Sequence, residues 1–188
     1  MSAVRHRVRN RDRYVAQSKQ YGSISVTTIV SWHDATQEAC EFLIAHSSDP
    51  QLVDDTYFPC VNNLTEAMEW FERNPLNAWT VREKKATIGL IAVLKPNFIN
   101  IPAGYVETCT YIDAERRGLG LSVVAWQLAE PFLREKYLGL AGATWCGNVA
   151  SISRLRKSGF SFYEKVWFDS TKATERSDWC EVWLKSLK

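Results

Sequence analysis

The stretch from residue 105 to residue 134 constrains the fold of this chain most strongly. It opens with YVETCTYID, whose β-branched and aromatic residues predict a strand. AERRGLGLS follows, and then the apolar run VVAWQLAEPFL, which predicts a helix that contains Pro131. Gly118 and Gly120 allow the backbone a tight turn between the two elements. A strand, a glycine loop and a helix in this order indicate an α/β fold.

The remaining segments supply further strands and helices. The predicted strands are 23–32, 78–83, 86–96, 142–146, 160–168 and 178–187, and the predicted helices are 34–47, 63–74 and 149–158. Asp34 stands three residues before Gln37, and Asn63 stands three before Glu66, so both spacings predict capping boxes. Residues 48–64 and 96–104 carry no motif and are interpreted as loops.

Composition excludes several classes of protein. A chain of 188 residues that is 46% apolar can bury one core, so we expect one globular domain. It has no apolar run near 18 residues and no apolar signal core, so we expect a cytoplasmic protein with no membrane contact. The five cysteines are scattered without a CxxC pair, and the three histidines lack ligand spacing, so we expect reduced thiols and no metal site.

The N-terminal segment is strongly basic. Residues 1–20 hold six basic residues against Asp12, a net charge of +5, while the other 168 residues sum to −3. If RHRVRNRDR is extended, its alternating arginines would suit a nucleic-acid backbone or an acidic protein face. A solvated terminus explains the same pattern. We therefore divide the chain into a basic arm, residues 1–22, and a folded domain, residues 23–188.

The glycine loop has the composition of an anion site. Glycines let backbone N–H groups approach a ligand beside the positive end of a helix dipole. The P-loop pattern GxxxxGK[ST] is absent, and the dinucleotide pattern GxGxxG fails because Val123 stands at the third glycine position. On this stretch alone, an ordinary turn with solvated arginines remains an equal alternative.

Two motifs resemble the GNAT superfamily of N-acetyltransferases. Arg117–Ser122 (RGLGLS) resembles the pyrophosphate-binding signature Q/R-x-x-G-x-G/A, with Ser122 in the last position. NVASISRLRKSGF, residues 148–160, is similar to the Asn-x-x-Ser…Lys-x-Gly-Phe motif of the branch that includes ribosomal-protein N-terminal acetyltransferases. The resemblance extends from residue 23 to the C-terminus. It implies a mixed, mostly antiparallel, twisted central sheet of about seven strands flanked by about four helices.

The resemblance also implies an acetyl-CoA site. Backbone amides of the loop would hold the pyrophosphate, the strand before it would pair with the pantetheine arm, and Asn148 would contact pantetheine. The residues assigned to the co-substrate are Tyr111, Ile112, Arg116, Arg117, Gly118, Leu119, Gly120, Leu121, Ser122 and Asn148. Asn148 would otherwise be interpreted as a helix cap.

The residues assigned to catalysis are Glu107 and Ser151. Attack on the thioester needs a neutral amine, and similar enzymes often have a glutamate at the position of Glu107 that acts as the base, directly or through water. An exposed strand carboxylate or a buried structural acceptor explains Glu107 equally well. The tyrosine acid of many GNAT enzymes would fall at Leu155, which cannot donate a proton. Ser151, Tyr163 or water remain as the acid, and proximity alone could carry most of the rate. Cys109 lacks a neighbouring base, so we expect no covalent acetyl-cysteine.

The function that follows is direct acetyl transfer from acetyl-CoA to a primary amine, with no metal. One alternative is a nucleic-acid or protein-binding module that uses the basic arm on a vestigial GNAT fold. Another is an acetyltransferase for aminoglycosides or polyamines, for which an acidic acceptor pocket is expected. The acids available for such a pocket are Asp54, Asp55, Glu66, Glu69 and Glu72. Trp179 and Trp183 share one face of the last predicted strand, which leaves a homodimer and a core role both open.

Overall fold

The computed structural model of the chain describes residues 13–20, 23–96, 100–168 and 177–188. Within them, the strands are β1 Arg13–Gln20, β2 Ser23–Ser31, β3 Pro75–Glu83, β4 Ala86–Leu94, β5 Tyr105–Ile112, β6 Gly139–Trp145, β7 Ser161–Phe168 and β8 Asp178–Ser186. The helices are α1 Thr36–His46, α2 Pro50–Asp55, α3 Leu64–Arg73, α4 Leu121–Arg134 and α5 Val149–Lys157. None of these helices is long and apolar enough to span a bilayer.

All eight described strands belong to one sheet. Their order is β1-β2-β3-β4-β5-β6-β8-β7. Neighbouring strands are antiparallel except β5 and β6, which are parallel because α4 crosses between them. The predicted mixed, mostly antiparallel sheet is therefore confirmed.

Two elements lie in segments where the sequence predicted none. Strand β1 pairs along its whole length with β2, although its residues fall within the segment assigned to the basic arm. Residues 1–12 of that arm lie outside the described residues. Helix α2 lies in the predicted loop 48–64; the Asp49 side chain caps it by accepting a bond from the Gln51 N–H at 2.8 Å, and Pro50 is its first residue.

One of the two predicted helix caps is wrong. Asp34 lies inside a 3₁₀ turn, Trp32–Asp34, and α1 begins at Thr36 after Ala35 without a side-chain cap. Trp32 is buried and stacks on Phe71, with ring centroids 5.4 Å apart, so the chain turns to bury this ring before the helix starts.

The other predicted cap, at the start of α3, is confirmed. The Asn63 side chain accepts a bond from the Glu66 N–H at 3.0 Å. The Glu66 carboxylate in turn accepts a bond from the Asn62 N–H at 2.9 Å. Asn63 and Glu66 therefore both accept backbone hydrogen bonds at this helix N-terminus.

The sheet separates two apolar clusters. Helices α4 and α5 cover one face, with Trp126, Leu133 and Leu155 in the cluster. Helices α1, α2 and α3 cover the other face. Alternation along β5 places Cys109 and Tyr111 on the second face and Val106 and Ile112 on the first.

Strands β5 and β6 diverge beyond a short paired segment. The two strands pair only where residues 105–107 of β5 lie beside residues 139–141 of β6. Farther along, β5 continues its pairing with β4, and β6 continues its pairing with β8. Backbone groups on the facing edges of residues 108–112 and 142–145 therefore border an opening between the two strands.

Candidate functional site

A cleft of about 310 Å³ lies where β5 and β6 diverge. Residues 108–112 of β5 and Ala143 of β6 form part of its wall. Helix α2 with the segment after it, the loop before α4, and α5 complete the lining. Of the residues assigned from the sequence, the cleft brings together Tyr111, Ile112, Arg116, Arg117, Gly118, Gly120, Leu121, Ser122 and Ser151. Glu107, Leu119 and Asn148 are not among the lining residues.

The loop before α4 has the backbone geometry of an anion cradle. Gly118 and Gly120 have φ values of 77° and 74°, a left-handed conformation that side chains disfavour. A Cβ atom built on either glycine would meet no protein atom within 4 Å, so the loop faces open space. Helix α4 begins directly after Gly120 without a side-chain cap, which leaves first-turn N–H groups available to a ligand.

The two arginines of this loop play different roles. The Arg117 guanidinium donates to the Asp49 carboxylate at 2.6 Å and to the Ile112 carbonyl at 2.9 Å, and it lies over the Tyr111 ring at 5.3 Å. Arg116 is more exposed, with its Nε atom 3.6 Å from the Glu83 carboxylate. The Arg117 side chain therefore holds the loop against α2, and Arg116 stands at the mouth of the cleft.

The Asp49 carboxylate binds both the Arg117 guanidinium and the Tyr111 hydroxyl. It accepts one bond from Arg117 and another, at 2.6 Å, from the Tyr111 hydroxyl. Burial opposes its charge, but hydrogen bonds from Tyr111, Arg117 and the Gln51 N–H outweigh that effect and lower the pKa of Asp49. Burial and the neighbouring carboxylate raise the pKa of Tyr111. A charged Asp49 thus ties α2 to β5 and to the loop.

Glu107 is fully buried, and its contact with the cleft runs through a tyrosine. The Tyr57 hydroxyl donates to the Glu107 carboxylate at 2.6 Å. Tyr57 lines the cleft, whereas Glu107 has no exposed surface. Burial first, and then the Glu107 charge, raises the pKa of Tyr57 well above its usual value, so the hydroxyl keeps its proton at neutral pH.

No feature of the sequence marks Tyr57 as a functional residue. It follows α2 in a segment without a motif, and it is 50 residues away from Glu107 along the chain. No local pattern indicates such a pair, because only the packing of α2 and its following turn against β5 brings the two side chains together.

Cys109 lies next to this pair and is buried. Burial raises the pKa of the Cys109 thiol to about 12, which keeps it protonated at neutral pH. A protonated, buried thiol is a poor nucleophile. Cys109 is therefore unsuited to forming a covalent intermediate.

The start of α5 brings Ser151 into the cleft. Asn148 caps the helix by accepting a bond from the Ser151 N–H at 3.0 Å, and its amide donates to the Asp55 carboxylate at 3.3 Å. The side chain of Asn148 thus joins α5 to α2. Leu155 is fully buried in the core, against Gly142 of β6.

Tyr163, the other candidate for the general acid, and most carboxylates considered for an acceptor pocket lie outside the cleft or outside the described side chains. Tyr163 is exposed on β7, donates to the Asn100 carbonyl at 3.1 Å, and is not among the cleft residues. Glu66 belongs to the α3 cap, and Glu69 is 3.3 Å from Arg73 on the same helix. Of the five acids considered for an acceptor pocket, Asp55 lines the cleft, and the Asp54 side chain lies outside the described part of the structure.

The two tryptophans of β8 have different environments. Trp183 is buried, and the Arg156 guanidinium lies 5.2 Å from its ring centre. Trp179 is about half exposed and packs edge-on against Trp167 of β7, with ring centroids 5.7 Å apart. Trp183 therefore has the core role.

Within the described residues no group of His, Cys, Asp and Glu side chains could hold a metal ion.

Comparison with known proteins supports the fold prediction. No family model and no curated protein matches the sequence. Among solved structures, yncA of Salmonella typhimurium, with its cofactor acetyl-CoA, has a TM-score of 0.68 at 15% identity over 86% of this chain and 94% of its own. The microcin C7 self-immunity acetyltransferase MccE, in complex with acetyl-CoA and AMP, has a TM-score of 0.66 at 12% identity over 85% and 92%.

A third structure belongs to the branch that the sequence motifs resemble. It is a Salmonella typhimurium acetyltransferase that modifies the N-terminal serine of ribosomal protein L7/L12, with a TM-score of 0.66 at 10% identity over 85% of this chain and 94% of its own. At such identities the likeness establishes the fold. The chain has the GNAT acetyltransferase fold, as its motifs predicted.

Proposed function

We propose that this protein transfers the acetyl group of acetyl-CoA to a primary amine in a single ternary complex. The observation that carries this proposal is the loop at the mouth of the cleft, where two left-handed glycines and the N-terminus of α4 face open space. Backbone donors at a helix N-terminus suit a pyrophosphate. The structural neighbours solved with acetyl-CoA support the same ligand.

The gap between β5 and β6 suits the pantetheine arm. Because the strands part after Glu107, the facing edge of residues 108–112 is available to pair with an extended ligand, as with an added strand. Such pairing would direct the thioester from the loop towards the paired end of the two strands. Tyr57 and Ser151 both line this cleft.

Glu107 acts as the base through Tyr57. As the Tyr57 oxygen takes a proton from the acceptor ammonium, its own proton passes to the Glu107 carboxylate, to which it is already hydrogen-bonded at 2.6 Å. The neutral amine then attacks the thioester carbon. Its second proton leaves the nitrogen as the carbon–sulfur bond breaks and ends on the departing thiolate, and the Ser151 hydroxyl is the candidate to pass it on.

The small number of carboxylates in the cleft favours an acceptor with a single positive charge. Four basic side chains and one carboxylate, that of Asp55, line it. A polyamine or aminoglycoside carries several positive charges and would need more acids than this. We therefore favour a singly charged amine, such as a protein N-terminus or a lysine, over a polycationic small molecule.

Calorimetry with acetyl-CoA, followed by thiol release with an amine panel, tests this function. The panel contains peptides with free N-termini, an N-terminally blocked lysine peptide, spermidine and an aminoglycoside. We expect acetyl-CoA to bind and at least one peptide to outperform both polycations. Failure to bind acetyl-CoA would overturn the proposal, and faster turnover of a polycation would overturn the acceptor class.

A further inference from the structure

Arg154 is a cation inside the cleft whose role the proposed reaction does not explain. It lies on α5 one turn after Ser151, and it lines the cleft beside β5. Its Nη1 atom donates to the Thr110 hydroxyl at 3.2 Å. The same oxygen accepts a bond from the Trp126 indole N–H at 2.8 Å. The Thr110 hydroxyl oxygen thus accepts both hydrogen bonds. Because it is neutral, it does not balance the charge of Arg154.

No acidic partner balances this guanidinium. Among the described residues, no carboxylate lies within salt-bridge distance of Arg154. By contrast, Arg117 pairs with Asp49, and Arg116 lies near Glu83. Burial lowers the pKa of Arg154 to about 10, so it stays charged at neutral pH despite its surroundings. A half-buried cation without a carboxylate partner costs free energy unless a ligand supplies the counter-charge.

The position of Arg154 indicates the donor rather than the acceptor. Thr110 lies on the part of β5 that has left β6 and leads to the glycine loop. Alternation along β5 separates Thr110, which contacts Trp126 of α4, from Glu107 and Cys109, which face the other side. The acceptor amine must reach the Tyr57–Glu107 pair, so the anion that meets Arg154 belongs to the other substrate.

We propose that Arg154 binds an anionic oxygen group of the thioester donor, an inference that rests on the proposed function. Two parts of a donor can supply this group. One is a phosphate of the CoA moiety, and the other is a terminal carboxylate on a dicarboxylic acyl chain. Lys157, one turn farther along α5, also lines the cleft and adds to the positive field.

Variants of Arg154 titrated with four donors test the inference. The ligands are CoA, acetyl-CoA, 3′-dephospho-CoA and succinyl-CoA, each measured by calorimetry at low and moderate salt. We expect Arg154→Gln to weaken at least one donor about 10- to 100-fold, the usual range for losing a charge-assisted hydrogen bond, and Arg154→Lys to weaken it less. Melting temperatures exclude unfolding as the cause.

Arg156→Gln is the matched control. It removes the same charge from the same helix, but Arg156 is exposed, lies over the Trp183 ring and is not among the cleft residues. We expect this variant to bind all four donors within about twofold of wild type. A loss equal to that of Arg154→Gln would show a general charge effect of α5 and would overturn the specific site.

The pattern over the donors identifies the group that Arg154 binds. A loss shared by CoA, acetyl-CoA and succinyl-CoA but absent with 3′-dephospho-CoA identifies the 3′-phosphate, and a loss with all four identifies the pyrophosphate. A loss confined to succinyl-CoA identifies an acyl carboxylate. Equal binding of every donor by folded Arg154→Gln and wild type would overturn the inference alone. Absence of binding by wild type would instead overturn the proposed function, and the inference with it.

Discussion

Gly120 combines a left-handed backbone conformation with a position at the proposed pyrophosphate site. Its φ of 74° lies in the left-handed region, and α4 starts at the next residue. We predict that Gly120→Glu reduces acetyl-CoA affinity about 100-fold or more, because the substitution puts bulk and negative charge where a pyrophosphate would lie. Calorimetry of the folded variant measures this loss.

Gly120→Ala is the control for backbone strain at that position. It imposes the same left-handed penalty, about 1–2 kcal/mol, without the charge, and its Cβ would meet no protein atom within 4 Å. We expect Gly120→Ala to keep most of its affinity for acetyl-CoA while losing some thermal stability. If Gly120→Glu binds as tightly as Gly120→Ala, the loop is an ordinary turn.

Tyr57 gives the second prediction at the residue scale. Removing its hydroxyl disconnects the buried Glu107 from the cleft, so Tyr57→Phe should lower kcat by about 10²- to 10⁴-fold at neutral pH. Acetyl-CoA affinity should stay near wild type. The activity that remains should rise with pH towards the pKa of the acceptor amine, since a neutral amine then needs no base.

Tyr163→Phe provides the comparison for Tyr57. It removes a tyrosine hydroxyl that donates to the Asn100 carbonyl outside the cleft. Its kcat and pH profile should match those of wild type. A Tyr57→Phe enzyme with the same kcat as Tyr163→Phe would rule out proton transfer through Tyr57.

At the scale of elements, Asn148 joins α5 to α2. Its carbonyl oxygen caps α5, and its amide donates to Asp55. We predict that Asn148→Ala loses about 1 kcal/mol of unfolding free energy, while Asn148→Ser, which retains a capping oxygen, loses much less. Denaturant unfolding of the two variants measures this difference.

Acetyl-CoA binding by the same two variants tests the role that the motif implies for Asn148. If its amide contacts pantetheine, both variants should bind acetyl-CoA about equally weakly, although only one is destabilised. Affinity that falls in Asn148→Ala and stays normal in Asn148→Ser would instead assign Asn148 a capping role alone.

At the scale of the whole molecule, the N-terminal segment contains both part of the sheet and the basic run. Strand β1 pairs with β2 along eight residues, whereas residues 1–12 lie outside the described structure. We predict that deleting residues 1–20 lowers the melting temperature, by about 2–4 °C for each kcal/mol lost, because it leaves β2 as an unpaired edge. Deleting residues 1–12 should leave the melting temperature near that of wild type.

The shorter deletion also tests the nucleic-acid alternative. If the basic run contacts a nucleic-acid backbone, the full chain should bind RNA or DNA with a steep salt dependence that disappears on deletion of residues 1–12. Salt-independent binding, or binding that survives the deletion, would remove this role from the arm. Acetyl-CoA affinity should be the same in both proteins.

The sequence by itself determined the features that are encoded locally. The glycine spacing at 118 and 120 predicted a tight turn before α4, which the structure forms with two left-handed glycines, and Asn63 with Glu66 predicted the cap of α3. Alternating and helical apolar periods predicted the body of the sheet and most helices, since burial of one face fixes these periods. The two motifs, read together, predicted the fold.

Only the tertiary structure decided which distant side chains meet. Tyr57 reaches Glu107 across 50 residues, and Arg117 reaches Asp49 across 68, because α2 packs against β5 and the loop. In the sequence, Arg154 looks like an ordinary exposed helix residue, and its position in the cleft follows from the gap between β5 and β6. These contacts depend on how the elements pack, and no local spacing in the chain specifies that packing.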